Sequence, residues 1–320
     1  MKRLLVTGGA GFIGSNFIRY ILDKYDDYRI MNLDKLTYCG NKDNLKDIER
    51  NKNYEFVKGD IADAKLADSL VKGCDAILNF AAETHVDRSI VDASSFVTTN
   101  VFGAYTLLEA AKRHSVKLFV QISTDEVYGS ISEGSFKEND PLRPNSPYSA
   151  TKASADLLAR SYFVTYRLPV VITRSSNNFG PYQYPEKIMP LFITNALEGK
   201  RLPVYADGMN VRDWLYVMDN CEAIDAVMHK GVPGEVYNIG GGHEITNLKL
   251  THAILGIMGK DKRLIEFVKD RPGHDKRYAL DIAKIRSLGW APAHDFKKAL
   301  AETVKWYEEN ISWWERLKKR

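Results

Sequence analysis

The feature that most limits the fold of this chain is a glycine-rich turn near its start. Gly8, Gly11 and Gly14 are spaced three residues apart, between an apolar run typical of a buried strand (Arg3–Thr7) and a segment with helical periodicity (Phe12–Tyr25). Glycines at these positions allow a tight turn and let a pyrophosphate approach the backbone N–H groups at a helix N-terminus. The same spacing also occurs in turns that serve packing alone, so the turn by itself does not establish a dinucleotide site.

The first half of the chain repeats this alternation of short apolar runs and helical segments. Such alternation predicts a parallel sheet covered by helices on both faces, and right-handed crossovers then favour a Rossmann-type, doubly wound α/β fold. After about residue 175 the sequence becomes turn-rich with shorter elements, which predicts a first domain over residues 1–175 and a smaller C-terminal α/β lobe over residues 176–320, with crossovers between them allowed. The predicted strands, taken as buried on both faces in the first domain, are Arg3–Thr7, Arg29–Leu33, Tyr54–Val57, Ala76–Phe80, Leu118–Ser123 and Val170–Thr173, with Val236–Ile239 in the lobe. The predicted helices are Phe12–Tyr25, Leu66–Val71, Ser94–Arg113, Tyr148–Tyr166, Lys187–Glu198, Val217–Lys230, Asn247–Met258 and Lys297–Asn310.

Composition excludes several classes of protein. The net charge of +4, from 45 basic and 41 acidic residues, gives no reason to expect binding to nucleic acid. Three cysteines without C-x-x-C spacing predict neither a disulfide framework nor a metal site, and they fit a reducing compartment. No apolar run approaches the roughly 20 residues of a membrane span, and the first residues lead directly into a strand without a signal segment. We therefore expect a cytoplasmic protein that does not bind membranes.

An acidic residue after the second predicted strand indicates which dinucleotide the turn could bind. Asp34 lies twenty residues beyond Gly14, where a carboxylate would accept hydrogen bonds from the adenosine ribose hydroxyls and repel a 2′-phosphate. This favours NAD over NADP. Asp60, after the third strand, is placed either to reach the adenine edge or to close a turn.

A tyrosine and a lysine lie on one face of a predicted helix. Tyr148 and Lys152 are four residues apart, a spacing that is common on surface helices. A tyrosine with a pKa of about 10 is a poor base at neutral pH unless positive charge stabilises the phenolate. Lys152 would supply one such charge and an oxidised nicotinamide another, so that Tyr148 could take a proton from an alcohol while hydride leaves the same carbon.

Two consecutive acids follow the predicted strand that ends at Ser123. Asp125 and Glu126 would form an ordinary solvated turn in most proteins, but here they lie where doubly wound folds bind ligands. An elimination of water needs one acid to donate a proton and the other to accept one, so their environments must separate their pKa values. Holding Asp125 protonated at pH 7 requires its pKa raised by about 3 from about 3.9, roughly 4 kcal/mol of differential interaction.

These motifs together resemble the extended short-chain dehydrogenase/reductase family of NAD-dependent epimerases and dehydratases, and the resemblance runs essentially end to end. The glycine turn and the Tyr/Lys pair are shared by the whole superfamily, whereas the triplet Thr124–Glu126 indicates a dehydratase. The further segments that match the family are Ala81–Asp87, Ser176–Asn178, Pro185–Lys187, Asn210–Trp214 and Asp270–Asp275. Departures at Met218 and Asn220 leave the nucleotide preference open.

The resemblance implies a lyase that converts dTDP-glucose to dTDP-4-keto-6-deoxyglucose for deoxysugar synthesis, such as the dTDP-rhamnose route, with NAD as a tightly bound cofactor. Tyr148, helped by Thr124, would deprotonate the C4 hydroxyl as hydride passes to NAD. Glu126 would then remove the C5 proton while Asp125 protonates the departing C6 hydroxyl, and hydride would return to C6. The implied catalytic residues are Thr124, Asp125, Glu126, Tyr148 and Lys152.

The resemblance also implies binding residues and an assembly. We expect a homodimer through a four-helix bundle made by Ser94–Arg113 and Tyr148–Tyr166 of each copy. Residues expected at the cofactor are Gly8, Gly11, Phe12, Ile13, Gly14, Asp34, Lys35, Thr37, Asp60, Ile61, Ala81, Thr99, Tyr148 and Lys152. Residues expected at the nucleotide sugar are Thr84, Thr124, Asn177, Lys187, Pro203, Tyr205, Arg212, Asn247, Arg271 and His274.

Three alternatives share part of this pattern. A UDP-sugar 4-epimerase and a UDP-glucuronate decarboxylase would both use the glycine turn, Tyr148 and Lys152, but they usually lack the paired acids. A non-catalytic NAD-binding module is the more remote alternative, because every implied catalytic residue is present. The base of the nucleotide also stays open, since dTDP and UDP differ only by a methyl and a hydroxyl group.

Overall fold

The structure is a computed structural model that describes residues 2–319, so Met1 and Arg320, the outermost residues of the two predicted lobes, lie outside the described part. The strands are β1 (Lys2–Thr7), β2 (Tyr28–Asp34), β3 (Tyr54–Lys58), β4 (Ala76–Asn79), β5 (Leu118–Thr124), β6 (Val170–Ser175), β7 (Asn177–Phe179), β8 (Leu202–Tyr205), β9 (Val211–Tyr216), β10 (Val236–Ile239), β11 (Glu244–Thr246) and β12 (Ile265–Val268). The α-helices are α1 (Phe12–Lys24), α2 (Ala64–Val71), α3 (Val86–Val91), α4 (Ser94–Phe96), α5 (Ala104–Arg113), α6 (Pro147–Tyr166), α7 (Ile188–Leu197), α8 (Val217–Lys230), α9 (Asn247–Ile257), α10 (Ala283–Arg286), α11 (Phe296–Glu309) and α12 (Ile311–Lys318).

A seven-stranded parallel sheet organises the larger part of the chain. Its strand order is β3-β2-β1-β4-β5-β6-β10, with the order reversing direction between β1 and β4. One face packs against α1 and α8, and the other packs against α2, α5 and α6, so that apolar side chains form a separate core on each face. The prediction of a Rossmann-type, doubly wound α/β fold is therefore confirmed.

The large sheet departs from the sequence expectation at its edge. The prediction that β3 is buried on both faces is wrong. β3 is the outermost strand of the sheet, and its side chains are half-buried or exposed.

Two helices also differ from the sequence prediction. The predicted helix Ser94–Arg113 contains a π-helical stretch, Val97–Gly103, between α4 and α5. α2 begins at Ala64, earlier than expected, since the Asp63 carboxylate accepts hydrogen bonds from two backbone N–H groups of its first turn.

The chain beyond residue 175 builds a smaller lobe and also returns to the large sheet. β10 pairs with β6 in parallel register, so the last strand of the large sheet comes from the second half of the sequence. The smaller lobe contains a three-stranded sheet, β11-β9-β7, and a two-stranded parallel pair, β12-β8, neither of which the sequence pattern predicted. α7, α9, α11 and α12 cover these strands around their own apolar core. Within residues 2–319, no helix is long and apolar enough to cross a membrane.

One buried amide connects the C-terminal helix to the glycine-rich turn. The side chain of Asn44, only 1% exposed, donates to the carbonyl of Ala10 at 2.9 Å and accepts from the indole N–H of Trp313 at 3.0 Å. The Ala10 carbonyl also accepts from the backbone N–H of Asn41 at 3.0 Å, whereas the buried indole N–H of Trp313 relies on the Asn44 amide for its hydrogen bond.

We predict that Asn44→Ala destabilises the chain by about 1–3 kcal/mol, because it leaves the buried indole N–H of Trp313 unpaired and removes one of the two donors to the Ala10 carbonyl. The urea midpoint of unfolding measures this effect. Asn51→Ala is the matched control, since Asn51 is exposed and its side-chain oxygen accepts from the backbone N–H of the nearby Asn53. Equal midpoints for the two variants would contradict the role of Asn44.

Candidate active site

A cleft opens at the C-terminal edge of the large sheet. Residues at or directly after the C-terminal ends of β1, β2, β3, β4 and β5 line it, and the N-terminal half of α6 and the loop before α7 close it from the other side. This is the edge at which open parallel sheets bind ligands. Every residue predicted to bind the cofactor lines this cleft, from Gly8 directly after β1 to Lys152 on α6.

The glycine-rich turn brings three backbone segments closer together than side chains would allow. Gly8 has a φ of +69°, and a Cβ there would lie 2.6 Å from the backbone nitrogen of Ala81. A Cβ at Gly14 would lie 2.5 Å from the carbonyl oxygen of Gly8. α1 begins directly after Gly11, which has no side chain to cap it, so the N-terminus of this helix is suited to an anionic group in the cleft.

The carboxylate of Asp34 is fixed at the floor of the cleft. Its two oxygens accept from the backbone N–H groups of Ala10 at 2.9 Å and Leu36 at 2.8 Å. Burial raises the pKa of Asp34, and these two hydrogen bonds partly offset that effect. Each oxygen keeps a further lone pair for a hydroxyl donor. Close by, Lys35 and Asp60 form an ion pair at 2.7 Å, which turns both side chains toward each other.

The triplet Thr124–Glu126 caps the end of β5 as a short 3₁₀ turn. The Thr124 hydroxyl accepts from the Glu126 N–H at 3.3 Å and donates to Oδ1 of Asp125 at 3.2 Å. Asp125 is only 2% exposed, and its other oxygen is buried without a hydrogen-bond partner among the described residues. An acid in this position is stable chiefly in its protonated form.

The two adjacent acids differ in their electrostatic surroundings. Burial and then the charge of Glu126 raise the pKa of Asp125 well above its usual range. Burial also raises the pKa of Glu126, but three cations oppose that rise. These cations are Lys187, Arg271 and Arg212. The surroundings therefore favour the proton on Asp125 over the proton on Glu126.

Tyr148 and Lys152 lie on the buried face of α6 that borders the cleft. Burial, followed by the charges of Glu126 and Asp125, raises the pKa of the Tyr148 phenol, while the facing hydroxyls of Thr84 and Thr124 lower it. The Lys152 ammonium donates to the carbonyl of Ile122 at 2.6 Å, and burial lowers its pKa to about 8. In the chain alone the phenol thus keeps its proton, and it needs added positive charge nearby to become a base.

The residues predicted for the nucleotide sugar fall into two groups. Thr84 and Lys187 line the cleft itself, where the Lys187 ammonium donates to the Thr84 carbonyl at 3.3 Å. The others lie outside the lining of the cleft: Thr124 at the end of β5, Asn177 on β7, Pro203 and Tyr205 on β8, Arg212 on β9, Asn247 at the start of α9, and Arg271 and His274 in the segment before α10.

Asp87 brings several members of the second group together. It accepts from the Arg271 guanidinium and from the Tyr205 hydroxyl, each at 3.3 Å, and the Tyr205 ring meets the His274 ring edge-on at 5.8 Å. Arg212 instead donates to the Asp275 carbonyl at 2.9 Å. The Oδ1 atoms of Asn177 and Asn247 are buried without partners among the described residues, as expected of groups that await a ligand.

Sequence reasoning missed several residues of the cleft. Glu186, Ser123 and Gln183 line it without having been assigned, although Glu186 belongs to a segment that matched the family. Cys39 also lines it, and burial raises the pKa of its thiol to about 12, which keeps it unreactive. Within residues 2–319, no cluster of His, Cys, Asp or Glu side chains is arranged to hold a metal ion.

Comparisons with known proteins agree with this geometry. The sequence model of the family described as GDP-mannose 4,6 dehydratase matches residues 5–303. The chain is 57% identical over 304 residues to the low-salt glycan biosynthesis protein Agl12 of Haloferax volcanii, covering 95% of this chain and 98% of that protein. It is 55% identical over 321 residues to the dTDP-glucose 4,6-dehydratase of Streptomyces niveus, covering 99% of this chain and 96% of that protein. The solved structure of DesIV, a dTDP-glucose 4,6-dehydratase from Streptomyces venezuelae with NAD and dTDP bound, matches with a TM-score of 0.97 at 53% identity, covering 98% of this chain and 99% of that one.

We predict that Asp125→Asn stabilises the chain increasingly as pH rises. The folded protein holds the Asp125 proton above the pH at which the unfolded chain releases it, so the wild type loses stability between the ordinary carboxyl pKa of 3.8 and the raised folded one. The difference between the variant and the wild type should grow by up to about 1.4 kcal/mol per pH unit. Denaturant unfolding at pH 5 and pH 8 measures it.

Glu126→Gln is the matched comparison for this experiment. Its stability relative to the wild type should also increase as pH rises, but by less than for Asp125→Asn, because cations oppose the rise in the pKa of Glu126. Parallel pH profiles for the wild type and Asp125→Asn would show that Asp125 is ionised in the folded chain.

Proposed function

This chain belongs to the family described as GDP-mannose 4,6 dehydratase, and we propose that within it the chain is a dTDP-glucose 4,6-dehydratase, a hydro-lyase that forms dTDP-4-keto-6-deoxyglucose and water. The observation that carries the proposal is the buried Asp125 beside Glu126 at the end of β5, next to Tyr148. An oxidation and reduction alone would not need this acid pair, whereas an elimination needs both members. The relatives that act on dTDP-glucose match nearly the full length of the chain.

NAD fits the cleft on the residues of this chain. The close approach of backbone at Gly8 and Gly14 leaves room for a pyrophosphate at the N-terminus of α1. Asp34 retains acceptor capacity for ribose hydroxyls and its charge disfavours a 2′-phosphate. When bound, NAD takes a hydride from C4 of the sugar and later returns one to C6.

Tyr148 is the base for the C4 hydroxyl. The hydroxyls of Thr84 and Thr124 face its phenol oxygen and can donate to it as it loses its proton. A protonated Asp125 removes one of the two negative charges that otherwise oppose ionisation of the phenol. Lys152, with a pKa of about 8, is mostly protonated at neutral pH and supplies positive charge on the same face of α6.

Glu126 and Asp125 then carry out the elimination. The charges of Lys187, Arg271 and Arg212 favour the ionised form of Glu126, which removes the C5 proton once the 4-ketone has acidified it. Asp125 donates the proton that it holds to the departing C6 hydroxyl. Because Asp125 is almost fully excluded from solvent, its proton does not exchange readily with bulk water before the leaving group arrives.

The same cations also suit the nucleotide diphosphate. Arg212 and Arg271 can each offer two parallel N–H donors to phosphate oxygens, and Lys187 offers a point charge beside them. Pro203 and Tyr205, both on β8 of the smaller lobe, would flank the base of the nucleotide. Binding of the diphosphate would draw Arg271 away from its ion pair with Asp87.

A homodimer through a four-helix bundle fits the apolar surface of two neighbouring helices. α5 with its π-helical extension and α6 pack side by side, and both expose large apolar side chains. Helices that pack only within their own chain do not need large apolar side chains on the exposed face, whereas helices that contact a second copy do. The exposed side chains are Val97 (51%), Phe102 (50%), Tyr105 (42%), Leu157 (58%), Val164 (49%) and Tyr166 (51%). The expected place of this dimer is the cytoplasm.

We predict that the purified chain removes water from dTDP-glucose without added cofactor, as measured by mass spectrometry of the product. GDP-mannose and UDP-, CDP- and GDP-glucose should react more slowly. A product of unchanged mass would contradict the dehydratase, because it would indicate an epimerisation.

The variant Glu126→Gln separates the two halves of this reaction. It should still form reduced nicotinamide with dTDP-glucose, but it should eliminate water at least about 100-fold more slowly, because it lacks the base for C5. Reduced nicotinamide should therefore accumulate on the enzyme and be visible by absorbance. Glu133→Gln, at an exposed loop position, is the matched control. Dehydration by Glu126→Gln at the parent rate would refute this assignment of the base.

The dimer is tested by placing a charge on the exposed face of α6. We predict that Leu157→Glu yields monomers in sedimentation velocity, because the charge would be buried between two copies. Val232→Glu changes an equally exposed apolar residue outside these helices and should leave the assembly unchanged. A dimeric Leu157→Glu variant would rule out the four-helix interface.

A further inference from the structure

Three segments meet over the mouth of the cofactor cleft through side chains that no motif assigned. Tyr38 comes from the loop after β2, Arg88 from α3, and Glu186 from the loop before α7. We propose that these three side chains form a latch, defined here as Tyr38, Arg88 and Glu186, which keeps NAD bound from one turnover to the next. This inference rests on the proposed function, since only a bound dinucleotide gives the latch something to retain.

Each member of the latch contacts the other two. The Tyr38 hydroxyl donates to Oε1 of Glu186 at 2.7 Å, and the Arg88 Nε donates to Oε2 of the same carboxylate at 3.2 Å. The Arg88 guanidinium carbon lies 3.9 Å from the centre of the Tyr38 ring, within the range of a cation–π contact. The Glu186 carboxylate therefore connects the loop of Tyr38 with α3, which are far apart in the sequence.

The neighbours of these residues show that the latch lies at the rim of the cleft. Thr37 and Cys39, on either side of Tyr38, line the cleft, as do Glu186 itself and Lys187. A second connection runs parallel to the latch, because the Tyr38 hydroxyl and the Lys187 ammonium both approach the Thr84 carbonyl, at 3.5 and 3.3 Å. The loop before α7 must move away from Tyr38 for this side of the cleft to open.

The proposed reaction explains why retention matters. The hydride that leaves C4 has to return to C6 of the same sugar, so loss of the reduced cofactor in mid-cycle would leave an oxidised, dehydrated sugar without a reductant. Slow release of the dinucleotide prevents this outcome. The latch holds the loops of both lobes together without contacting the reacting atoms, so its members position the rim of the cleft and take no chemical step.

The test is the rate at which the holoenzyme exchanges its cofactor. Protein loaded with radiolabelled NAD is separated from free label and diluted into excess unlabelled NAD, and protein-bound label is followed over time without substrate. Arg88→Met and Glu186→Gln should each release label about tenfold faster than the wild type, because each removes the ion pair and Arg88→Met also removes the cation–π contact. Tyr38→Phe keeps the ring beneath Arg88 but loses the hydroxyl, so its acceleration should be smaller.

A second ion pair supplies the control. Arg29 and Glu55 lie 3.3 Å apart on β2 and β3, outside the cleft lining, and are about half exposed like Arg88. Arg29→Met should leave the release rate unchanged. Release at the wild-type rate from Arg88→Met and Glu186→Gln would overturn the latch, as would equal acceleration by Arg29→Met. A wild type that binds no NAD would overturn the proposed function as well.

Discussion

The constraint on which the rest of the structure depends is the contact of bare backbone at the glycine-rich turn. Gly8 approaches Ala81 and Gly14 approaches Gly8 at distances that no Cβ could occupy. These contacts set the direction in which α1 leaves the sheet and bring its N-terminus to the strand ends. Asp34 then binds the N–H of Ala10, which fixes the same turn from the neighbouring strand. The shape of the cleft follows from these few backbone approaches.

Charged residues of the smaller lobe influence the pKa values of the acid pair at the end of β5. Asp125 and Glu126 are adjacent in sequence and both are withdrawn from water, so local structure alone would raise both pKa values together. The cations that oppose this rise at Glu126 lie beyond residue 175, on β9 and in loops of the smaller lobe. These charges favour the ionised form of Glu126, so the electrostatics of the acid pair depends on residues of both lobes.

Sequence reasoning succeeded where a pattern is local and failed where distant segments meet. The strands and helices of the large sheet were predictable because their periodicity is strong, and the motifs at the ends of β1 and β5 placed the cleft. The exposure of β3 was not predictable, because nothing in Tyr54–Val57 indicates that this strand is the outermost one. The strands of the smaller lobe are too short to show a clear alternation of apolar and polar residues. Lys152 was expected to favour the Tyr148 phenolate, but the sequence did not reveal that nearby carboxylates oppose it.

The origin of β10 bears on how this protein can be made. During synthesis on the ribosome, the first six strands of the large sheet emerge long before their seventh neighbour, so β6 waits with one edge unpaired. An unpaired parallel edge is a site where nascent chains associate with each other. The large sheet is therefore completed only after β10 has been synthesised. A different lobe in place of the residues beyond 175 would leave β6 unpaired along one edge unless it supplied a closing strand of its own.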